Sequence, residues 1–458
     1  MASSSAGAPR PVAESAIASI PLGETENLMA NVSTTSPVPA AGQGTNQTYL
    51  AALSMVTVLF FFWGFVTSLN DILIPHFKAI FELNYTKAML IQFAFFFAYF
   101  IFSLPSAKIV DALGYKKTMV VGLIVMACGA FGFFPAATLP SYWLFLVALM
   151  VVAAGITALQ VSANAYVTIL GNPDTASSRL NLAQAFNSFG TTIGPYLGGV
   201  FILSGQPLSG DAMNQLSADA LRTYRIHEAS SVKMPYLVIG LALLLFAILI
   251  GMFKLPAMAH AERHGQKGDS IWKYTHVVLG AVGIFVYVGA EVSIGSFLIN
   301  YFAQPDIGNL TPLAASKLVS YYWGGAMVGR FIGSAILQKV KTGTLLGINA
   351  TAAVLLVCIS MLTTGPIAMW SIILVGLFNS IMFPSIFTLG IAKLGPLTGD
   401  GSGLLIMAIV GGAIIPVAQG WIADHIGIHH AFVLPVICYA YIVYYGLRGS
   451  RPVIPSGA

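Results

Sequence analysis

The sequence predicts an all-α membrane protein with 12 transmembrane helices in two pseudo-symmetric six-helix bundles. Three observations predict it. The 458 residues are 57% hydrophobic and only 8% charged, against about a quarter charged in an ordinary soluble domain. Apolar stretches long enough to cross a bilayer recur twelve times. Features of the first six recur in the last six at a nearly constant offset.

With a mean hydropathy of +0.82, the chain carries more apolar surface than one water-soluble fold can hide. In a bilayer about 20 apolar residues make one spanning helix. The stretches fall at about 51–75, 87–110, 117–138, 141–170, 180–204, 234–254, 274–302, 314–338, 344–363, 366–391, 401–422 and 430–447. The stretch at 430–447 is short. The one at 274–302 is long enough to tilt. Residues 1–49 are rich in Ala, Ser, Gly, Pro and Thr, with no basic start leading into an apolar run. They read as a disordered cytoplasmic tail, not a secretory signal.

Basic residues set the orientation. With the N-terminus in the cytoplasm, 15 of the 21 Lys and Arg fall inside or at the inner ends of spans. Lys78, Lys87, Arg222, Arg225, Lys233 and Lys317 fall outside. That bias places both termini in the cytoplasm and requires an even number of spans. The polar break 205–232 is then outside and 255–273 inside. The expected organisation is a bundle over 50–254, a cytoplasmic linker over 255–273, a second bundle over 274–447 and a tail over 448–458. The net charge of +5 is spread between apolar spans, so it is no nucleic-acid footprint. Cys128, Cys358 and Cys438 all lie in apolar segments and suggest neither a metal site nor a disulfide framework.

The repeat rests on three matches. Gly190 and Pro195 in GTTIGP answer to Gly411 and Pro416 in GGAIIP, the prolines 221 residues apart. Thr168 in YVTILG answers to Thr388 in IFTLG, 220 residues on. Gly64 in the first span answers to Gly289 in the seventh, 225 residues on. A parallel repeat of this kind places a substrate site near the bilayer midplane, between the halves.

Asp71 is the residue that points to function. It stands in FFFWGFVTSLNDILIPHF, inside the first apolar stretch. A carboxylate persists in hydrocarbon only where it faces a protein interior or a water-filled path. A carboxyl withdrawn from water holds a proton more tightly, which suits a group loaded on one side of a membrane and unloaded on the other. Glu291 in span seven is the second candidate for proton coupling.

Spans four and five carry amides at helical spacing. Gln160 and Asn164 are i and i+4, and Asn181, Gln184 and Asn187 follow at intervals of three. Asn70, Gln92 and Asn379 add amides in spans one, two and ten. An amide offers an acceptor oxygen and donor hydrogens without net charge, which matches the several hydroxyls of a neutral sugar. Polar glue between helices is the structural alternative for each amide taken singly. Tyr321, Tyr322 and Trp323, mid-span in the eighth stretch, are the aromatic candidates for the apolar face of a pyranose.

Between spans two and three stands AKIVDALGYKK (107–117). It resembles the cytoplasmic loop motif of the major facilitator superfamily, with Asp111, Gly114 and Lys116 matching, Ala107 in place of the first Gly and Tyr115 in place of an Arg. The resemblance implies a gating role for Asp111, Gly114 and Lys116, in which the acid holds neighbouring helix ends together in one conformation. SLNDILIPHF (68–77), GITALQVSANAYVTILG (155–171), RLNLAQAFNSFGTTIGP (179–195) and GAEVSIGSFLINYF (289–302) resemble segments of the fucose–galactose–glucose:proton symporter family within that superfamily. The likeness covers roughly residues 50–447 and is nearer the glucose/galactose and N-acetylglucosamine branch than the L-fucose permeases. It implies the major facilitator fold and proton coupling at Asp71. The fucose permeases have a Glu where this chain has Gln160, and an amide takes up no proton, so if coupling in the relatives uses both carboxylates this chain works with Asp71 alone or recruits another acid, for which Glu291 is the candidate.

The expected function is import of a hexose (glucose/galactose, N-acetylglucosamine or fucose) by proton symport with alternating access. The expected setting is a bacterial inner membrane, as a lipid-embedded monomer. Sodium coupling and a drug or metabolite exporter are the alternatives. No cofactor is implied, and no nucleophile–base set, metal spacing or phosphate loop points to an enzyme.

Overall fold

The structure is a computed structural model, and it describes residues 46–80, 85–139, 141–202, 216–256 and 270–452. Among them every regular element is a helix. The first half runs α1 (Asn46–Ile80), α2 (Tyr85–Leu113), α3 (Tyr115–Thr138), α4 (Tyr142–Ile169), α5 (Ala176–Ile202), a short α6 (Ala218–Ser230) and α7 (Lys233–Met252). The second runs α8 (Thr275–Phe302), α9 (Pro312–Ile336), α10 (Thr342–Leu362), α11 (Gly365–Asn379), α12 (Met382–Gly390), α13 (Thr398–Met407), α14 (Gly411–Ile426), α15 (Ile428–Ala431) and α16 (Val433–Tyr444). Most of the expected tail lies outside the described residues, and α1 already begins at Asn46. Residues 257–269 of the expected linker also lie outside them.

Among the described residues, ten helical segments are long and apolar enough to cross a membrane, with α11–α12, α13–α14 and α15–α16 each making one crossing. The two further crossings are α5 and α9. At 27 and 25 residues they are long enough, but they carry amides, hydroxyls and Arg330 where the others carry Leu and Val. The two least apolar crossings are therefore the ones with most to hydrogen-bond, and they pack on each other.

Outward faces are apolar at helical spacing. On α7, Val238, Leu241, Leu245, Ile248 and Met252 are exposed, while Tyr236, Gly240, Leu243, Ala247 and Ile250 are buried. Such a stripe faces lipid, and the opposite stripe packs on α3.

The packing repeats between halves. In the first, α1 packs on α5, α2 on α4, α3 on α4 and α3 on α7. In the second, α8 packs on α14, α9 on α11, α10 on α11 and α10 on α16. The repeat read from sequence has an atomic basis. A side chain at Gly190 of α5 would strike the backbone carbonyl of Phe61 on α1, and one at Gly411 of α14 would strike that of Phe285 on α8. Contacts between the halves are paired in the same way, with α2 against α13 and α9 against α5.

Candidate functional site

The first half supplies an amide seam. Gln160 on α4 donates Nε2 to the Tyr99 hydroxyl on α2 at 2.8 Å. Gln184 on α5 donates to Asn164 Oδ1 on α4 at 3.1 Å. Asn187 on α5 donates to the Phe60 carbonyl on α1 at 3.0 Å. Asn181 reaches out of its own half and donates to the Arg330 carbonyl on α9 at 2.6 Å. These amides thus hold helices together through one atom each, and two of their fully buried atoms have no partner. Asn164 Nδ2 and Asn181 Oδ1 are buried without a protein partner. The side chains of Asn70, Asp71 and Gln92 lie outside the described residues.

The second half builds its polar centre on a break in a helix. α11 ends at Asn379 and α12 starts at Met382, which frees the carbonyls that a continuous helix would use. Three side chains from three helices take them. Asn349 on α10 donates to the Phe378 carbonyl at 3.2 Å, Tyr287 on α8 to that of Asn379 at 3.0 Å, and Arg330 Nε on α9 to that of Ser380 at 3.3 Å. Beside the break, Asn379 Nδ2 donates to the Tyr322 hydroxyl at 2.8 Å, and that hydroxyl donates to the Glu291 carbonyl at 3.2 Å. Glu291 Oε1, Asn379 Oδ1 and the Tyr439 hydroxyl on α16 are buried with no protein partner.

Of the three aromatic candidates, Tyr322 is in this cluster and fully buried. Tyr321 is 59% exposed and lines an apolar groove of about 430 Å³ with Trp370, its ring 6.0 Å from that of Trp370. Trp323 is 44% exposed and lies over Gly295 of α8. Successive residues of a helix point about 100° apart, so the three cannot share one face.

On one face the halves are latched together. Ser177 and Thr388 share a hydrogen bond of 2.6 Å, and Thr342 donates to Ser177 at 2.9 Å. Ser178 donates to the Ser334 carbonyl at 2.6 Å, and Ser402 to that of Val161 at 2.7 Å. Arg330 donates Nη1 to Ser188 on α5. The loop motif lies on this face. Gly114 turns the chain from α2 into α3 at φ 83°, a conformation glycine takes readily. The Asp111 carboxylate lies against Gly399 in the first turn of α13, where a helix N-terminus favours negative charge. Lys116 donates to the Gly251 carbonyl at 2.8 Å, at the C-terminal end of α7, where positive charge is favoured. Both ends of the helical region are here too, with Tyr49 packed on Gly171 and Gly446 on Gly343.

Sequence reading missed Arg330, Tyr99, Ser188 and Tyr439 as site residues. Arg330 carries a signal, an arginine inside an apolar run, but the charge bias alone counts it among the 15 inner Lys and Arg. Tyr99 stands in a run of phenylalanines and has none.

Two bundles built on one parallel repeat, joined by an amide-rich seam and latched at one face, define the major facilitator fold. The Major Facilitator Superfamily model matches residues 56–409. The glucose/galactose transporter of Brucella abortus biovar 1 (strain 9-941) is 54% identical over 405 residues, 88% of this chain and 95% of its own. The L-fucose-proton symporter of Escherichia coli K12 is 36% identical over 412 residues, 87% of this chain and 93% of its own. The crystal structure of the E. coli fucose:proton symporter superimposes with a TM-score of 0.81 at 34% identity, covering 87% of this chain and 98% of that one. The chain belongs to the major facilitator superfamily and, within it, to the fucose–galactose–glucose:proton symporter family.

Proposed function

We propose that this chain imports a hexose by proton symport with alternating access, in a bacterial inner membrane with both termini in the cytoplasm. The observation that carries the reading is the donor–acceptor set at the seam. Neutral amides and tyrosine hydroxyls stand in both halves, from α2, α4 and α5 in the first and from α9 and α11 in the second, which also carries the Glu291 carboxyl. Such a set offers a polyol many hydrogen bonds and no net charge to neutralise. The printed names of the relatives support the substrate class, since one is a glucose/galactose transporter and another an L-fucose-proton symporter.

In this reading the bundles 50–254 and 274–447 rock about the seam, joined by the linker 255–273. Asp71 loads the proton and Glu291 is the second acid. Gln160, Asn164, Asn181, Gln184, Asn187, Tyr322 and Asn379, with Asn70 and Gln92, bind hydroxyls. Tyr321 and Trp323, apart from the polar cluster, make the least direct contact. Asp111, set in place by the Gly114 turn and by the Lys116 bond within its own half, holds the latched face shut until the bound sites fill. Nothing is done chemically to the sugar.

The test is uptake of labelled glucose, galactose, fucose and N-acetylglucosamine into proteoliposomes under an imposed proton or sodium gradient. Proton-driven accumulation, lost in Asp71→Asn while exchange of preloaded sugar survives, is the expected result. A response to sodium alone keeps the substrate class and discards the proton. No accumulation of any hexose under either gradient overturns the reading.

A further inference from the structure

The cation on α9 and the acid on α8 stand in one bundle without pairing. Arg330 donates to Ser188 Oγ and to the Ser380 carbonyl, both neutral oxygens. No ion pair involves either Arg330 or Glu291 among the described residues. Glu291 Oε1 is shut off from solvent, and the one side chain that interacts with the carboxyl by hydrogen bonding is the neutral Tyr287 hydroxyl. The titratable and charged groups that interact with that carboxyl are Tyr287 on its own helix, Tyr322 and Arg330 on α9, and Tyr439 on α16. Arg330 is the one cation within electrostatic reach among them.

We propose that Arg330 changes partners during transport. In this state it clasps Ser188 of the other bundle. When Glu291 gives up a proton, Arg330 turns to that carboxylate in its own bundle, so that deprotonation and opening of the α5–α9 seam are one event. The inference rests on the proton-symport reading and adds to it the element that joins proton release to the conformational change.

The preference follows from bond strengths. A guanidinium bound to a serine hydroxyl makes one charge–neutral bond. The same group on a carboxylate makes a charge-assisted and often bidentate one. While Glu291 holds its proton, Ser188 is a competitive partner. Once Glu291 is ionised, two opposite charges withdrawn from water and left apart are each uncompensated, and pairing them removes much of that cost. Of the other α5–α9 bonds, those from Ser178 and Asn181 end on backbone carbonyls of α9 and that from Thr192 on Met327 Sδ, so none follows the guanidinium. The proton leaves the Glu291 carboxyl for water in the cavity that opens at the latched face, and the charge on Arg330 is unchanged throughout.

The test needs no sugar. Ser334 is buried next to the clasp, and its own hydroxyl bonds within α9 to the Phe331 carbonyl, so Ser334→Cys reports opening without removing a latch bond. The full chain carrying Ser334→Cys is reconstituted and labelled with N-ethylmaleimide over a pH series, with the chain lacking the added cysteine as blank. The quantity read is the labelling rate divided by that of the same chain with Glu291→Gln at the same pH, which cancels the thiol's own reactivity. The expected ratio is near one at low pH and rises about tenfold at high pH, within the usual range of coupling between sites. Glu291→Asp keeps the rise. Ser188→Ala raises labelling at low pH toward the high-pH level, and Arg330→Lys narrows the span. A ratio of one at every pH, or a Ser188→Ala chain that labels like its parent, overturns the proposal. A flat ratio beside proton-driven sugar uptake sinks this inference alone. A rising ratio beside no sugar uptake sinks only the hexose reading.

Discussion

Gln160 on α4 and Tyr99 on α2 are joined by a 2.8 Å hydrogen bond between two buried side chains. The position matters because the resembling fucose permeases carry a carboxylic acid there. In this chain the amide has been given a fixed partner instead, which ties α2 to α4 on the site side of the first bundle. Removing that partner leaves a buried N–H unsatisfied, at a cost of about 1–3 kcal/mol. Tyr99→Phe is therefore expected to lower the unfolding temperature of the purified protein. Adding Gln160→Met in the same chain recovers much of the loss, because both ends of the bond are then apolar. If Tyr99→Phe melts like its parent, the bond contributes nothing.

The glycines of the repeat give a second prediction. Gly190 and Gly411 meet backbone carbonyls of Phe61 and Phe285, which cannot swing aside, whereas Gly324 on α9 faces open space. Gly190→Ala and Gly411→Ala should each cost about 1–3 kcal/mol through overpacking. Gly324→Ala should be neutral or stabilising by up to about 1 kcal/mol, as a helix-interior glycine replaced by a better helix former. Unfolding of the three variants in one detergent checks the order. Equal behaviour of Gly190→Ala and Gly324→Ala would falsify the close approach of α1 and α5.

Much of this was legible beforehand, and the limits are physical. All twelve crossings were legible as apolar stretches, and the Gly-Pro pairs in α5 and α14 exposed the repeat because close helix approach demands small residues at equivalent places. The stretch 366–391 read as one span, yet it breaks between Asn379 and Met382. Asn and Ser favour bonds to nearby backbone over continued helix, but that preference is too weak to place a break inside a hydrophobic run. The polar break 205–232 read as plain polar chain, while 218–230 is a helix whose Ser217 hydroxyl accepts the Ala220 N–H at 3.3 Å. The amides were found by spacing. Which of them would face another helix was not, since that depends on rotations that period alone leaves open. Gln184 on Asn164 and Asn187 on the Phe60 carbonyl are tertiary pairings over 20 and 127 residues of chain.

Charge at helix ends gives a third prediction. The Asp111 carboxylate lies at the first turn of α13 in the other half, and Lys116 at the last carbonyls of α7. Each sits where the helix dipole favours it, an effect of about 0.3–1 kcal/mol at exposed sites and up to about 2 kcal/mol when partly buried. Asp111 acts between halves, so Asp111→Asn should favour opening of the latched face severalfold, read as faster labelling of Ser334→Cys. Lys116 acts within the first half, so Lys116→Met should lower stability slightly and leave that labelling rate unchanged. Both variants opening the face to the same extent would contradict the division of roles.

The latch itself can be locked. The Ser177 and Thr388 hydroxyls are 2.6 Å apart across the two halves, which brings their Cβ atoms close to the roughly 4 Å that a disulfide spans. A chain with Ser177→Cys and Thr388→Cys should cross-link under mild oxidation, and the cross-link should stop sugar uptake by holding this face shut. Reduction should restore uptake. Either substitution alone removes one hydroxyl from a three-member network that includes Thr342. That costs about 1 kcal/mol, so the single variants should transport and should favour opening of this face. If oxidation closes the bond and uptake continues at its former rate, this face does not open in the transport cycle, and alternating access through the α5–α12 contact is wrong. If the bond fails to form although both thiols react with N-ethylmaleimide, the two halves spend little time in the latched arrangement. Transport would then start from the other end of the cycle.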